Sequence, residues 1–196
     1  MRRLGVAGEF RDNETGAHVE RMSHFCSLLA RKCGQDEDYA TMLFYASTMH
    51  DVGKIGIGDQ ILLKPARLTD DEREEINRHP LIGSQIIGEH PSALMSMARE
   101  TALYHHEKWD GSGYPHGCSG EEIPLCARIA AVCDVFDALT STRPYKDAWS
   151  MEQAVAYLEE EAGHHFDPHL VQLFVTHLDE FVAIKRRFSD QEIPSA

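Results

Sequence analysis

His50 and Asp51 stand side by side at the end of an apolar run, and Gly53 and Lys54 follow almost at once. A carboxylate in an apolar setting carries a desolvation cost that pairing or metal coordination relieves. Further imidazole and carboxylate donors recur along the chain. Glu14 and His18 are four residues apart, so they share a helix face. His79, the adjacent His105 and His106, and Asp134 complete a set of eight candidate ligands from five segments. Nitrogen and oxygen donors without thiolate suit iron, manganese, zinc or nickel. Eight ligands exceed the needs of one ion, and a carboxylate can bridge two, so at least two ions are expected.

The elements that must bring these residues together read as helices. The stripe His18, Met22, Phe25 and Leu29 predicts a helix over about 14–33, closed by Arg31, Lys32 and Gly34. Asp36 or Asp38 can cap the next, predicted to run to about Asp51 with Ala40, Leu43, Ala46, Ser47 and His50 on one side. Gly53 is read as the break that ends it. Thr69-Asp70-Asp71-Glu72 is a capping-box pattern for a short helix ending near His79-Pro80. Proline is expected to keep His79 at an element boundary, outside regular helix. Pro91 suits a first turn, and Leu94, Ala98, Thr101 and His105 fall on one face of the helix after it. Residues 107–124 form a long loop with Gly111, Gly113, Gly117 and Gly120, two prolines, Trp109 and Tyr114. Its length favours a lid or binding loop over a plain connector. Leu125–Thr140 reads as a buried helix interrupted by Asp134 and Asp137, at least one of which needs a strong partner. Ser150 and Gln153 cap a helix over about 151–162, and Asp167-Pro168 opens a last one with Val171, Phe174, Val175, Leu178 and Val182 inward. No β-run or internal repeat stands out.

Composition narrows the function. The net charge of −13 argues against a general DNA or RNA binder, which needs a basic footprint. No apolar run approaches the roughly 20 residues of a membrane span, and the start of the chain is too short and polar in its apolar stretch for a signal peptide. Five cysteines, odd in number and without a C-x-x-C pair, point to a reduced, cytoplasmic setting.

Three strings carry a resemblance: His50-Asp51-Val52-Gly53-Lys54; His105-His106-Glu107 with Asp110-Gly111-Ser112-Gly113-Tyr114-Pro115; and Asp134-Val135-Phe136-Asp137-Ala138-Leu139-Thr140-Ser141 with Arg143-Pro144-Tyr145-Lys146. Together they resemble the HD-GYP family of cyclic di-GMP phosphodiesterases, a branch of the HD phosphohydrolase superfamily, over about residues 12–182. The resemblance implies an all-α fold, an HD-domain helical bundle with a long Gly-rich loop. It implies a catalytic domain over 13–184, flanked by a tail or linker remnant at 1–12 and a C-terminal tail at 185–196. It implies one ion held by His18, His50, Asp51 and Asp134, and a second, bridged by Asp51, held by His79, His105 and His106. Glu14 makes a third ion feasible. The ions expected are iron or manganese first, zinc or nickel second.

By the same resemblance His50, Asp51 and Lys54 are the catalytic residues, and Lys54, Arg143, Lys146 and Tyr114 face the substrate. The implied reaction is hydrolysis of cyclic di-GMP, or a related cyclic dinucleotide, to pGpG and onward to GMP in some family members. A metal-bridging water would supply hydroxide, and Arg143 can grip a phosphate bidentately where a lysine acts as a point charge. A regulatory domain upstream is expected. The competing readings are a nucleotide sensor or scaffold that recruits a diguanylate cyclase (GGDEF) partner through the Tyr114 loop, and a nucleotide phosphohydrolase of the wider superfamily. Gly58 stands where the family often has proline, and Cys118 where an apolar residue is usual.

Overall fold

The computed structural model describes residues 16–142 and 147–189. Glu14, Arg143 and Lys146 therefore lie outside the described residues. The protein is all-helical. Its helices are α1 (Gly16–Lys32), α2 (Glu37–Ala46), α3 (Asp59–Leu62), α4 (Asp70–Ile76), α5 (His79–Ile87), α6 (Ala93–Tyr104), α7 (Leu125–Thr140), α8 (Met151–Glu160), α9 (Pro168–Thr176) and α10 (Leu178–Arg187). Three-residue to five-residue 3-10 turns lie at Ser47–Met49, Val52–Gly56 and Gly120–Glu122.

The centre of the bundle is α1, packed against α2, α7, α9 and α10. Its stripe of Met22, Phe25, Cys26 and Leu29 is fully buried, and His18 continues that stripe at 3% exposure. Hydrophobic burial of such a stripe is the main reason a helix of this length holds its place. Phe25, Phe136, Phe174 and Phe181 pack as a chain of aromatic contacts linking α1, α7, α9 and α10. On the other side of the bundle α5 packs on the Val52–Gly56 turn and on α6, which in turn meets α2 and α7.

Several local signals act as expected. Asp36 caps α2, accepting from the Tyr39 amide. Thr69 and Glu72 form a reciprocal capping box on α4, and Ser150 and Gln153 form one on α8. Other boundaries differ. The second helix ends at Ala46, and the chain tightens into the 3-10 turn at Ser47–Met49 before reaching His50 and Asp51. His79 does not stand outside helix: it opens α5, with Pro80 in the first turn. Proline is well suited there because its missing amide hydrogen has no intrahelical acceptor to lose. The single terminal helix expected after Asp167 is two helices, broken at His177 (φ −111°). On α10 it is Phe181 that is fully buried, while the expected Val182 is half-buried. The helix also continues through Lys185 to Arg187, past the expected domain limit.

Candidate metal centre

His18 comes from α1, Asp134 from α7, and His50 from the turn after α2. Ligand atoms of these three lie within 4.8 Å of one another, and a second group is formed likewise by Asp51, His79, His105 and His106. Every one of these positions was read as a candidate ligand, and the fold brings them to one place from distant points of the chain. His18, His50, Asp51, His79 and His105 are buried, while Asp134 and His106 are partly exposed.

Asp51 lies between the two groups. Its Oδ1 is 3.1 Å from His79 Nε2 and 3.4 Å from His105 Nε2. Its Oδ2 is 3.4 Å from His50 Nε2 and 2.7 Å from the Lys54 ammonium. Asp134 Oδ1 faces His18 Nε2 at 3.7 Å and His50 Nε2 at 4.0 Å. One carboxylate thus offers one oxygen to each group.

The far side of each imidazole decides its tautomer. His50 Nδ1 is 2.9 Å from the Ser47 carbonyl, and His79 Nδ1 is 2.8 Å from that of Ile76. His105 Nδ1 is 3.0 Å from the Ala102 carbonyl. A carbonyl only accepts, so Nδ1 carries the proton and Nε2 presents a lone pair. His79 Nε2 and His105 Nε2 then meet at 3.4 Å, lone pair towards lone pair, beside the anionic Asp51. Among the described residues the buried Asp51 Oδ1 has no hydrogen-bond donor. Left to themselves these groups would repel. Cations between them remove the conflict, so the residues present fit divalent metal ions.

Burial and neighbouring charge together set ionisation at the site. Burial alone would raise the Asp51 pKa, but the Lys54 charge and the neighbouring His50 outweigh it and hold the carboxyl well below its usual range. Burial depresses His105. Burial, then the His105 and His79 imidazoles, push His106 well below the imidazole range. Deprotonated imidazole is the form that ligates.

The loop after α6 closes over this cluster. Tyr114 stacks on His106 with ring centroids 4.8 Å apart and planes at 24°, and its amide donates to the His106 carbonyl at 3.2 Å. The Tyr114–Pro115 bond is cis. Burial, followed by the charges of Asp51 and Asp134, raises the Tyr114 phenol above its ordinary pKa. The start of the loop is tied down where Trp109 and Asp110 donate their amides to the His165 and His164 carbonyls, and its far end returns through the Gly120 amide to the Trp109 carbonyl.

Three supporting residues are not among the site residues expected from sequence. Asp137 takes the Nδ1 proton of His18 at 2.8 Å. Arg21, one turn beyond His18, grips Asp137 with Nε at 2.6 Å. Glu107, 2% exposed, accepts the His116 and Cys118 amides at 2.7 and 3.1 Å. The signal for Asp137 was present, as a carboxylate in an apolar helix that demanded a partner. Arg21 was legible only as a cation one turn from His18, and nothing marked Glu107 beyond its place in the His105-His106-Glu107 string.

An HD-domain family model matches residues 9–170. The chain is 46% identical over 187 residues to a 3'3'-cGAMP-specific phosphodiesterase of Vibrio cholerae, covering 95% of this chain and 36% of that protein. It is 46% identical over 189 residues to a cyclic di-GMP phosphodiesterase response regulator of Xanthomonas campestris, covering 96% and 50%. A cyclic di-GMP phosphodiesterase of Thermotoga maritima is 40% identical over 189 residues, covering 96% and 51%. The chain thus spans about a third to a half of the length of these relatives. A crystal structure of a cyclic GMP-AMP-specific phosphodiesterase of Vibrio cholerae superimposes with a TM-score of 0.71 over 95% of this chain and 51% of that one, at 18% identity, a likeness of fold. With the family model spanning all but the two ends, and His50 and Asp51 at the meeting point of two ligand groups, this chain belongs to the HD-domain family.

Proposed function

We propose that this chain is the catalytic unit of a metal-dependent phosphodiesterase that opens a cyclic dinucleotide, either cyclic di-GMP or the 3'3'-cGAMP of its relatives. The observation that carries the reading is the Asp51 carboxylate, with Oδ1 towards His79 and His105 and Oδ2 towards His50. When bound, divalent ions there supply an activated water and neutralise charge on the phosphoryl oxygens. Iron or manganese is the proposed pair, from the all-nitrogen-and-oxygen donor set.

The side chains around them have separate tasks. His18, His50 and Asp134 would hold one ion and His79, His105 and His106 the other, with Asp51 available to both. Lys54 lies 2.7 Å from Asp51 Oδ2, where its ammonium can meet a phosphate oxygen and donate a proton to the leaving ribose oxygen. Tyr114 walls the site over His106. Arg143 and Lys146 are proposed to bind the second phosphate, and Glu14 a third ion. An ester bond breaks as water adds to phosphorus, giving the linear dinucleotide.

The competing reading is a sensor that recruits a diguanylate cyclase through the same loop. Tyr114 is turned inward on His106, which favours a role at the site over one in recruitment. The deciding experiment is anaerobic purification with elemental analysis, then incubation with cyclic di-GMP and 3'3'-cGAMP separately, products read by chromatography. Turnover that disappears in Asp51→Asn is expected. Tight nucleotide binding without a linear product, with iron or manganese supplied, would reverse the choice in favour of the sensor.

A further inference from the structure

His18 is oriented unlike its fellow ligands. His50, His79 and His105 each rest Nδ1 on a backbone carbonyl, whereas His18 Nδ1 meets the carboxylate of Asp137 at 2.8 Å. An anionic acceptor makes the opposite ring nitrogen a stronger donor to a cation. Asp137 lies one helical turn beyond Asp134 on α7, so a single face of α7 both supplies a ligand and orients another from α1. Asp137 is 1% exposed and Arg21 2%. Arg21 Nη2 reaches the same oxygen at 2.9 Å and Nε the other at 2.6 Å, which fixes the carboxylate plane.

The support does not stop at the bundle core. Arg21 Nη1 donates to the Phe188 carbonyl at the end of α10, at 3.0 Å. Lys185, also on α10, places its ammonium 3.4 Å from Asp137 Oδ1 and 2.9 Å from Ser141 Oγ. Two separate points of the terminal helix therefore rest on the groups that hold His18.

We infer that Asp137 is a positioning residue for the ion held by His18, His50 and Asp134, and that α10 is part of its support, so that occupancy of this ion and docking of α10 are energetically coupled. The inference rests on the metal-centre reading above. Coupling of this kind is reciprocal: whatever tightens the ion's site tightens the helix, and loosening the helix weakens the ion.

The test is Mn2+ titration of the chelated chain, read by metal content, by electron paramagnetic resonance, and by hydrogen exchange over Leu178–Arg187. In the parent protein Mn2+ should give the signature of a spin-coupled pair and raise protection of the α10 amides. Asp137→Asn should keep the ion at Asp51, His79, His105 and His106 while binding the other roughly 10–100-fold more weakly. Its spectrum should be that of an isolated ion, and its α10 exchange should no longer respond to metal. A buried staple with no positioning role would lower the melting temperature and leave the two sites in step. Because Asp137→Asn removes a carboxylate charge that the buried Arg21 grips, Lys185→Met carries the same test in a milder form, with an expected loss of about fivefold at the one site. Unchanged affinity in the variants that fold, or α10 protection indifferent to metal, overturns the inference alone. A parent protein that takes up no Mn2+ overturns it together with the metal centre.

Discussion

A methyl group placed on Gly53 would overlap the His79 carbonyl oxygen and lie 2.5 Å from the Gly83 amide nitrogen. The Val52–Gly56 turn, which follows directly on His50 and Asp51, can meet α5 only because no side chain intervenes. From sequence this glycine reads as a helix breaker, yet the helix has already ended at Ala46. Its function is close approach of two backbones, and that approach puts His79 Nε2 within 3.1 Å of Asp51. Gly53→Ala should therefore cost about 3 kcal/mol, the upper part of the range for overpacked sites, and should lower metal content along with stability. Urea denaturation and elemental analysis check both. Lys54 tests the other side of Asp51. Lys54→Met removes the ammonium without shortening the apolar stem, so the ions should stay while kcat/KM falls roughly 100-fold. Loss of metal with loss of activity would instead make Lys54 a structural counter-ion of Asp51.

At the scale of elements, the loop after α6 shows where sequence reading succeeds and where it runs short. Its glycines and prolines mark it as irregular, and its length marks it as functional. What shapes it is invisible in a one-dimensional pattern: the buried Glu107 carboxylate gathers the amides of His116 and Cys118, and Gly113 lies so close to the Glu107 backbone that a Cβ would be 2.5 Å from its Cα. Glu107→Gln leaves an amide that can accept one of those hydrogens and opposes the other. A cost of about 2 kcal/mol is expected, with faster hydrogen exchange over 113–118 than in the rest of the fold. Uniform exchange across the molecule would show that Glu107 supports the core and not the loop. The same limit applies to helices. Periodicity found the buried faces of α1, α2 and α7, because burial of a stripe is what keeps a helix in place. It missed the break at His177, since nothing local forbids a continuous helix from Pro168 to Arg187; the break accompanies stacking of Phe174 on Phe181 at 3.9 Å, seven residues on, where a straight helix would hold them about 10 Å apart. Candidate ligands were legible because imidazoles and carboxylates are scarce on apolar faces. Asp137 and Arg21 were harder, since a buried ion pair is defined by a partner more than a hundred residues away.

On the scale of the whole molecule, a net charge of −13 makes acid response informative, because several buried groups titrate out of step with the unfolded chain. His165 lies outside the metal centre, stacked on Phe166 with its carbonyl holding the Trp109 amide. Burial first, then the Lys108 charge, pushes its pKa down to about 4, against the opposing pull of Asp110 and Asp134. An unfolded histidine titrates near 6.5. Between those values the unfolded chain binds a proton that the folded chain refuses, so stability is full above about pH 6.5 and is lost as the pH falls towards about 4, where the slope ends. The whole shift is worth at most about 3 kcal/mol, and partial exposure of the ring reduces that. His105 and His106 are depressed in the same direction and add to the slope of the chelated protein. The difference between the parent and His165→Gln therefore isolates one group. Urea titrations of both at pH 7.5 and pH 4.5, with chelator present, should show His165→Gln losing about 1–2 kcal/mol less over that interval. Equal losses would place the acid sensitivity in the ligand histidines alone. A larger loss in the variant would mean that His165 is protonated in the folded state and paired with Asp110.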